Sequence, residues 1–281
     1  IFKYKPDFIF HLAGQSIVKK SFSDPIDTWH TNTIGTLNLL ESLRNFKKKC
    51  SVVLITSDKS YKNLEIKRGY KEDDLLGGYD PYSASKGGAE LVIQSYIKSF
   101  FSMKKTQILI SVARAGNVIG GGDWSDSRLI PDCVKSWSIN KKVVIRSPKA
   151  TRPWQHVLEA VYGYLLLASR LEKNKNFHGQ AFNFGPKPKK NYSVIQVVKT
   201  MKKHWDKVSW KTKSKKHNSF YESTLLKLNS NKAKKLIKWQ CVLSYEETIG
   251  LVSQWYKSFY TNPNQIHLTT IQQIKKYSKL I

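Results

Sequence analysis

The sequence has no apolar run of about 18 residues, the length that a membrane-spanning helix needs, and no signal-peptide pattern at its start. It contains only 3 cysteines, Cys50, Cys133 and Cys241. Their isolated positions fit neither a metal site nor a disulfide framework. We therefore expect a cytoplasmic protein that has no membrane partner and binds no metal.

Acidic residues are also scarce, since 20 Asp and Glu accompany 48 Lys and Arg, which leaves a formal net charge of +28. A surplus of this size is typical of nucleic-acid-binding proteins. The lysines, however, are spread along the chain, are densest at 187–216 and 275–279, and do not interleave with a recognisable nucleic-acid motif. We favour a solvated basic surface with no nucleic-acid partner, and a basic nucleic-acid-binding module remains an alternative.

Short apolar runs alternate with helical patterns in the first half of the chain. Strands are predicted at 6–14, 51–57 and 108–114, and helices at 27–46 and 82–101. This alternation predicts an α/β fold with a Rossmann-type doubly wound parallel sheet. Polar clusters at 11–16, 56–61 and 114–124 follow the three strands. Because ligands bind at the carboxyl ends of the strands in such sheets, these clusters predict the functional site.

After Gly122 the pattern loosens. Helices are predicted at 132–139, 157–171, 193–205 and 245–260, and a strand at 143–145. We assign residues 1–118 to a partial Rossmann domain. Residues 119–281 are assigned mainly to a smaller mixed α/β substrate domain, with some segments that return to the Rossmann sheet.

Tyr82 and Lys86 are the most informative pair of residues. On a helix their spacing places both side chains on one face. A free tyrosine, with a pKa near about 10, is a poor base at neutral pH, and an ammonium one turn away favours the phenolate. Tyr-x-x-x-Lys can therefore take a proton from an alcohol while a hydride leaves the same carbon. The spacing alone also fits an ordinary surface pair on a Lys-rich helix.

The order of several longer motifs adds to this pair. They are HLAGQ (11–15), TSDKSY (56–61), DPYSASK (80–86), GNVIGGGDW (116–124), RPWQHV (152–157) and NFGP (183–186). Together they resemble the extended short-chain dehydrogenase/reductase superfamily, the NAD-dependent epimerases and dehydratases. Within it, the motifs are similar to those of the CDP-glucose 4,6-dehydratases, over nearly the whole chain.

This resemblance implies a three-step reaction on CDP-glucose with NAD as cofactor. The sugar is oxidised at carbon 4, water is eliminated across carbons 5 and 6, and the hydride returns to carbon 6. Tyr82 would take the 4-hydroxyl proton, and Lys86 would tune Tyr82 and hold the nicotinamide ribose. Ser57 would hydrogen-bond the 4-oxygen, and Asp58 would protonate the departing 6-hydroxyl. Lys59 would act as the carbon 5 base or as an electrostatic partner.

Asp58 and Lys59 separate this reaction from its neighbours. The related dTDP-glucose 4,6-dehydratases carry a glutamate at the position of Lys59. Sugar-nucleotide 4-epimerases carry small neutral residues at both positions, because they eliminate no water. The pair therefore favours a dehydratase of the CDP type. The alternatives are another sugar-nucleotide dehydratase, a 4-epimerase, or an inactive homologue.

The resemblance also implies residues that bind the cofactor and the substrate. The cofactor set is Leu12, Ala13, Gly14, Asn32 and Thr56, together with Tyr82 and Lys86. Gly14 stands where an alanine is more usual. The substrate set is Asn117, Arg128 and Arg152, of which the arginines suit phosphate oxygens.

Members of this family begin with a strand, a Gly-rich phosphate turn and an acidic ribose ligand, and we find no counterpart of these in the sequence. The glycines at 120–122 follow a late strand and do not replace that turn. We therefore expect an N-terminally truncated fragment, and the alternative is a degenerate homologue that cannot hold the cofactor. Superfamily behaviour further implies a homodimer or higher homo-oligomer, and a role in lipopolysaccharide or O-antigen biosynthesis.

Overall fold

The computed structural model describes residues 1–66, 68–102, 106–186, 191–212 and 225–281, so parts of the Lys-rich stretch 187–216 lie outside the described residues. The strands are β1 (Phe8–His11), β2 (Cys50–Ile55), β3 (Ile108–Ala115), β4 (Val118–Ile119), β5 (Val143–Ile145), β6 (Thr151–Arg152), β7 (Gln155–His156), β8 (Ala181–Phe184), β9 (Tyr192–Ser193) and β10 (Trp210–Thr212). The helices are α1 (Val18–Ser23), α2 (Pro25–Trp29), α3 (Gly35–Arg44), α4 (Pro81–Phe100), α5 (Leu129–Ser138), α6 (Val157–Lys173), α7 (Val194–Met201), α8 (Asn231–Ile237), α9 (Tyr245–Thr261) and α10 (Ile266–Ser278).

The chain folds into two compact units. The first contains residues 1–116, 162–184 and 228–240, and the second contains residues 117–161, 185–227 and 241–281. Two later segments of the chain thus belong to the same unit as the first 116 residues.

The first unit is built on a parallel four-stranded sheet in the order β1-β2-β3-β8. This confirms the predicted Rossmann-type α/β architecture. The segment 6–14, predicted as a buried strand that ends in a small-residue turn, forms the strand Phe8–His11, but the predicted burial is wrong because β1 lies at an edge of the described sheet. Phe8 is 42% exposed as a result, whereas β2 and β3, each paired on both sides, are almost wholly buried.

Helices α3 and α4 pack on this sheet. Leu40 and Leu43 of α3 and Ile93 of α4 share a buried cluster with Val52 and Ile110 of the strands. The predicted helix at 27–46 is interrupted by a π-helical turn, His30–Ile34, between α2 and α3.

The start of α4 follows from its sequence. Asp80 is the N-cap, since its Oδ1 accepts a hydrogen bond from the Ser83 N–H at 3.0 Å, and Pro81 occupies the first helical position, where its missing N–H costs nothing. Tyr82 therefore lies in the first turn of α4, and Lys86 lies one turn later.

The register of the sheet brings three strand ends to one edge. His11 pairs with Leu54, and Ile55 pairs with Ala113. Because all these strands are parallel, the segments that follow them leave the sheet at the same carboxyl edge. The first unit thus places the residues after β1, β2 and β3 close to one another.

The second unit has its own core between α5, α7 and α9. The core contains Val134, Trp137, Val198, Met201 and Ile249, among other buried residues. Its strands form three small pairs, β4 with β7, β5 with β10, and β6 with β9. Predicted helices at 132–139, 157–171, 193–205 and 245–260 are confirmed as α5, α6, α7 and α9, although α5 begins earlier and α7 ends earlier than predicted.

Two absences hold for the described ranges. None of their helices combines the length and hydropathy of a membrane span. Nor do these ranges contain a group of three or more His, Cys, Asp or Glu side chains with the arrangement of a metal site.

Candidate active site

The turn after β2 presents Ser57 and Asp58. Residues Asp58–Ser60 form a 3-10 turn, and Ser57 caps it by accepting a hydrogen bond from the Lys59 N–H at 3.2 Å. The Ser60 hydroxyl donates to the Ser57 carbonyl at 2.7 Å. Ser57 and Asp58 are 6% and 2% exposed, so their side chains are fixed in a buried position at the carboxyl end of β2.

Tyr82 joins this turn from α4. Its hydroxyl donates to Ser57 Oγ at 3.4 Å, and Ser57 Oγ donates to Asp58 Oδ1 at 3.1 Å. Three side chains that sequence analysis predicted to be catalytic therefore form one connected hydrogen-bonded chain. Tyr82 is buried, as is Lys86 on the same helix.

The Lys86 ammonium lies against the loop after β1. A methyl group added at Gly14 would approach Lys86 Nζ and Asn32 Oδ1 to 3.0 Å each. Burial lowers the pKa of Lys86 to about 8, although the nearby Glu90 carboxylate acts in the opposite direction. Burial, with the Lys86 charge, also lowers the pKa of His11. With a pKa of about 8, the Lys86 side chain can gain or lose its proton close to neutral pH.

Asn32 fastens the same loop to α4. Its amide nitrogen donates to the Gln15 carbonyl at 3.0 Å and to Ser85 Oγ at 2.9 Å, and its Oδ1 accepts from the Gln15 N–H at 2.9 Å. These contacts hold the loop that contains Gly14 against the Lys86 helix. The predicted contact of Asn32 with a cofactor stays a prediction.

A buried ion pair lies beside the site. Glu90 of α4 accepts from Arg114 Nε at 2.7 Å and from Arg114 Nη2 at 2.8 Å, and both side chains are at most 2% exposed. The Thr56 hydroxyl donates to the same carboxylate at 2.6 Å. The Glu90 carboxylate thus connects α4, β3 and Thr56. The Thr56 hydroxyl donates to this carboxylate, and its predicted contact with the cofactor stays a prediction.

Sequence analysis missed this ion pair. Its signals are a glutamate one turn after Lys86 on the buried face of α4 and an arginine at the end of an apolar strand. A charge at such a position requires a buried partner. The sequence does not identify that partner, because the two residues lie on different elements.

We expect Glu90→Gln to lower the free energy of unfolding by about 3 to 5 kcal/mol, because it leaves the Arg114 guanidinium buried and incompletely paired. The measurement is the denaturant midpoint of the two proteins at neutral pH. Glu41→Gln is the matched control, since it breaks an exposed pair with Arg44 on α3, and we expect no resolvable change from it. Equal midpoints for Glu90→Gln and the wild type would contradict a stabilising role of the buried pair.

Gly116 packs directly on Asp58. A Cβ added at Gly116 would lie 1.9 Å from Asp58 Oδ2, which is far inside contact distance. Only glycine at position 116 allows the Asp58 carboxylate to keep this position. Gly116 belongs to a motif that sequence analysis recognised, but no role was predicted for it.

The remaining predicted residues are placed as follows. Leu12, Ala13 and Gly14 are exposed, and the Lys59 side chain is partly buried. The predicted substrate residues Asn117, Arg128 and Arg152 belong to the second unit.

Those three residues have partners within their own unit. Arg128 Nη1 donates to Asp123 Oδ2 at 2.8 Å, and the buried Arg152 donates from Nη1 to the Thr151 carbonyl at 2.8 Å. Asn117 has a left-handed backbone, with a φ of 48°, and its carbonyl accepts from Gln155. Their contacts with a substrate stay predictions.

Comparison with known proteins shows the family and the fold. The family model described as GDP-mannose 4,6 dehydratase matches residues 1–251. This chain belongs to the GDP-mannose 4,6-dehydratase family. A protein from Salmonella typhimurium described as CDP-glucose 4,6-dehydratase is 41% identical over 263 residues, which cover 92% of this chain and 73% of that protein.

Solved structures show the same fold. A UDP-glucuronic acid 4-epimerase from Bacillus cereus, in complex with UDP-glucuronic acid and NAD, has a TM-score of 0.79 at 21% identity and covers 92% of this chain and 78% of its own. A dTDP-glucose 4,6-dehydratase from Bacillus anthracis, in complex with NAD, has a TM-score of 0.73 at 21% identity and covers 92% of this chain and 75% of its own.

Proposed function

We propose that this protein is an NAD-dependent nucleotide-sugar 4,6-dehydratase, a lyase that converts CDP-glucose to CDP-4-keto-6-deoxyglucose. The observation that carries the proposal is the chain of hydrogen bonds from Tyr82 through Ser57 to Asp58. It places a group suited to the 4-hydroxyl proton and a carboxyl suited to a leaving hydroxyl in one buried site. The 41% identity to the Salmonella CDP-glucose 4,6-dehydratase supports the choice of substrate.

The residues of the first unit fit the nicotinamide half of NAD. The loop of Leu12, Ala13 and Gly14 is exposed, and Gly14 leaves open the space that a Cβ would fill beside the Lys86 ammonium. Lys86 would hold the nicotinamide ribose, and Asn32 would hold the loop in place. Bound NAD would supply the hydride acceptor for carbon 4 and the hydride donor for carbon 6.

Tyr82 and Lys86 would act on the 4-hydroxyl. Tyr82 accepts its proton, and the Lys86 ammonium stabilises the negative charge that develops on the Tyr82 oxygen. The 4-ketone then acidifies the proton on carbon 5, which makes elimination possible. Lys59 serves as the carbon 5 base or as an electrostatic partner of that step.

Asp58 distinguishes a dehydratase from an epimerase. Asp58, which is 2% exposed and hydrogen-bonded to Ser57, would protonate the departing 6-hydroxyl, a step that an epimerase does not need. Gly116 keeps the space that this carboxyl occupies.

The nucleotide would be held by the second unit. Arg152 and Arg128 carry planar guanidinium groups that match paired phosphate oxygens, and Asn117 offers an amide to the pyrophosphate or the sugar. We further propose that the protein works in the cytoplasm as a homodimer or higher homo-oligomer, in lipopolysaccharide or O-antigen biosynthesis. No nucleic-acid or membrane partner is proposed.

The pH dependence of kcat/KM should follow the loss of the proton from the Lys86 ammonium. We expect kcat/KM to fall as pH rises through about 8, because the ammonium is the active form and its pKa is lowered to about 8 by burial. Lys86→Arg keeps a charge that is never lost in this range, so its residual activity should not fall at that pH. Lys98→Arg, at an exposed position on the same helix, should reproduce the wild-type profile. A wild-type profile that stays flat through this range would contradict the role of Lys86.

The proposal is tested with protein expressed from its complete open reading frame. The protein is incubated with NAD and CDP-glucose, UDP-glucose or dTDP-glucose, and the 4-keto-6-deoxy product is followed by its alkali-induced absorbance. We expect product from CDP-glucose in large preference. Product from dTDP-glucose or UDP-glucose instead would reassign the substrate, and a 4-epimer without water loss would reassign the reaction.

A further inference from the structure

The buried ion pair between Glu90 and Arg114 contacts both ends of the 57–60 turn, which carries the predicted catalytic side chains after β2. Before the turn, the Thr56 hydroxyl donates to Glu90 Oε1 at 2.6 Å. After the turn, Arg114 Nη1 donates to the Tyr61 hydroxyl at 2.7 Å, and the guanidinium carbon lies 4.8 Å from the centre of the Tyr61 ring. One ion pair therefore holds the side chain on each side of the turn.

The Tyr61 hydroxyl also connects the ion pair to β8. It donates to Asn183 Oδ1 at 2.7 Å, and the Asn183 amide nitrogen donates to the Tyr70 carbonyl at 2.9 Å. The hydroxyl is thus held from β3, through Arg114, and from β8, through Asn183. The end of the turn is therefore fixed to the sheet by side chains, in addition to its backbone.

The form of this ion pair suits a positioning role better than a purely stabilising one. A buried ion pair costs the hydration of both charges, and well-packed apolar residues often stabilise a core equally well. A bidentate pair of Arg and carboxylate, however, fixes direction as well as distance, and its charges strengthen the hydrogen bonds to neighbouring hydroxyls. Fixed direction matters most in an active site, where a displacement of about 1 Å can cost about a hundredfold in rate.

We propose that the Glu90–Arg114 ion pair is a clamp that positions the 57–60 turn for catalysis, with Thr56 and Tyr61 as its two points of attachment. This inference rests on the proposed function, because it assigns positioning residues to the site of that reaction. Glu90, Arg114 and Tyr61 are at most 2% exposed, so they act through the turn and not by contact with a substrate.

The clamp gives Thr56 a role that differs from the one implied by the family resemblance, which places it among the cofactor-binding residues. A threonine hydroxyl has one hydrogen to donate, and Thr56 donates it to Glu90. While this bond is present, Thr56 can only accept a hydrogen bond from a cofactor. The hydroxyl therefore serves first to hold the start of the turn.

Tyr61→Phe and Tyr70→Phe are a matched pair of variants for the test. The two rings stack with their centroids 5.1 Å apart, and both side chains are at most 2% exposed. Each hydroxyl accepts and donates a hydrogen bond, but that of Tyr61 accepts from Arg114, whereas that of Tyr70 accepts from the Leu64 N–H and donates to Asn63. The two substitutions thus remove the same chemical group from neighbouring buried positions.

The complete protein is assayed with NAD and CDP-glucose. We expect Tyr61→Phe to lower kcat by at least about tenfold and to change the KM for CDP-glucose by less than about twofold, because displaced catalytic groups weaken the transition state more than the bound substrate. Tyr70→Phe should keep the wild-type kcat. Wild-type kcat in Tyr61→Phe would overturn the clamp and leave the proposed function intact.

The other end of the turn is tested at Thr56. Thr56→Val keeps the branched shape but loses the hydroxyl, and it should lower kcat by about tenfold, whereas Thr56→Ser keeps the hydroxyl and should restore most of the rate. The double variant Thr56→Val with Tyr61→Phe should be no more than about threefold slower than the slower single variant, because either change releases the same turn. Multiplied effects would overturn a single clamp, as would a raised KM for NAD with unchanged kcat in Thr56→Val.

Hydrogen exchange tests the clamp without turnover. The amide hydrogens of Lys59 and Ser60 are donated to the Oγ and the carbonyl oxygen of Ser57, so their exchange reports opening of the turn. We expect Tyr61→Phe to speed exchange in this peptide by about tenfold and to leave β3 unchanged, and Tyr70→Phe to change neither. Unchanged exchange, or faster exchange throughout the first unit, would overturn the clamp. A wild type that forms no product from any nucleotide sugar would overturn the proposed function, whatever the exchange shows.

Discussion

Gly116→Ala is expected to lower kcat for dehydration by at least about a hundredfold, the typical contribution of a positioned acid or base. A methyl group at this position would lie 1.9 Å from Asp58 Oδ2, so the carboxylate must leave its place. The displaced group then no longer meets either the departing 6-hydroxyl or Ser57. The measurement is the rate of 4-keto-6-deoxy product formation from CDP-glucose.

Gly35→Ala is the matched control for this substitution. Its added Cβ would meet only the His30 carbonyl, at an ordinary contact distance of 3.6 Å, within a helical segment. We expect unchanged activity and a stability that is equal or slightly higher. If Gly116→Ala folds with the wild-type denaturant midpoint and also keeps wild-type activity, then Asp58 is not the group that protonates the leaving hydroxyl.

The second large effect is expected from Tyr82→Phe. The ring remains, so the packing of the first turn of α4 is retained, but the hydroxyl that contacts Ser57 Oγ is lost. We expect kcat to fall by about a hundredfold to ten-thousandfold, with oxidation at carbon 4 and product formation reduced together. Rapid-mixing absorbance and product assays measure the two quantities on the same samples.

Tyr79→Phe provides the comparison for that loss. Tyr79 lies just before α4 and is 70% exposed, so removal of its hydroxyl should leave activity unchanged. Normal oxidation at carbon 4 in Tyr82→Phe would show that another group takes the 4-hydroxyl proton.

Much of the first unit could be predicted because local patterns determine it. The apolar β-branched run of β2 and the Asp80-Pro81 helix start carry their structural meaning within a few residues. The π-helical turn His30–Ile34 has no comparable local signal, so one continuous helix was predicted there. The edge position of β1 depends on strand pairing across the sheet, which the composition of Phe8–His11 does not encode.

The candidate active site, too, could be predicted from the sequence only in part. The spacing of Tyr82 and Lys86 on one helix could be read directly from the sequence, as could the turn that contains Ser57 and Asp58. The partnership of Glu90 with Arg114 and the contact of Gly116 with Asp58 join elements that are far apart in the chain. Such contacts are set by the tertiary fold, and one sequence contains no local pattern that predicts them. The direction in which Ser57 donates its hydrogen likewise required the geometry of all three partners.

The most direct test of the proposed function is the path of the hydride. CDP-glucose that carries deuterium at carbon 4 is converted by the complete protein with NAD, and the product is examined by NMR and mass spectrometry. The proposed dehydratase moves that deuterium to carbon 6 of a 4-keto-6-deoxy sugar. A product that carries the deuterium at carbon 4 with inverted configuration would identify an epimerase, and unchanged CDP-glucose would contradict the proposed activity.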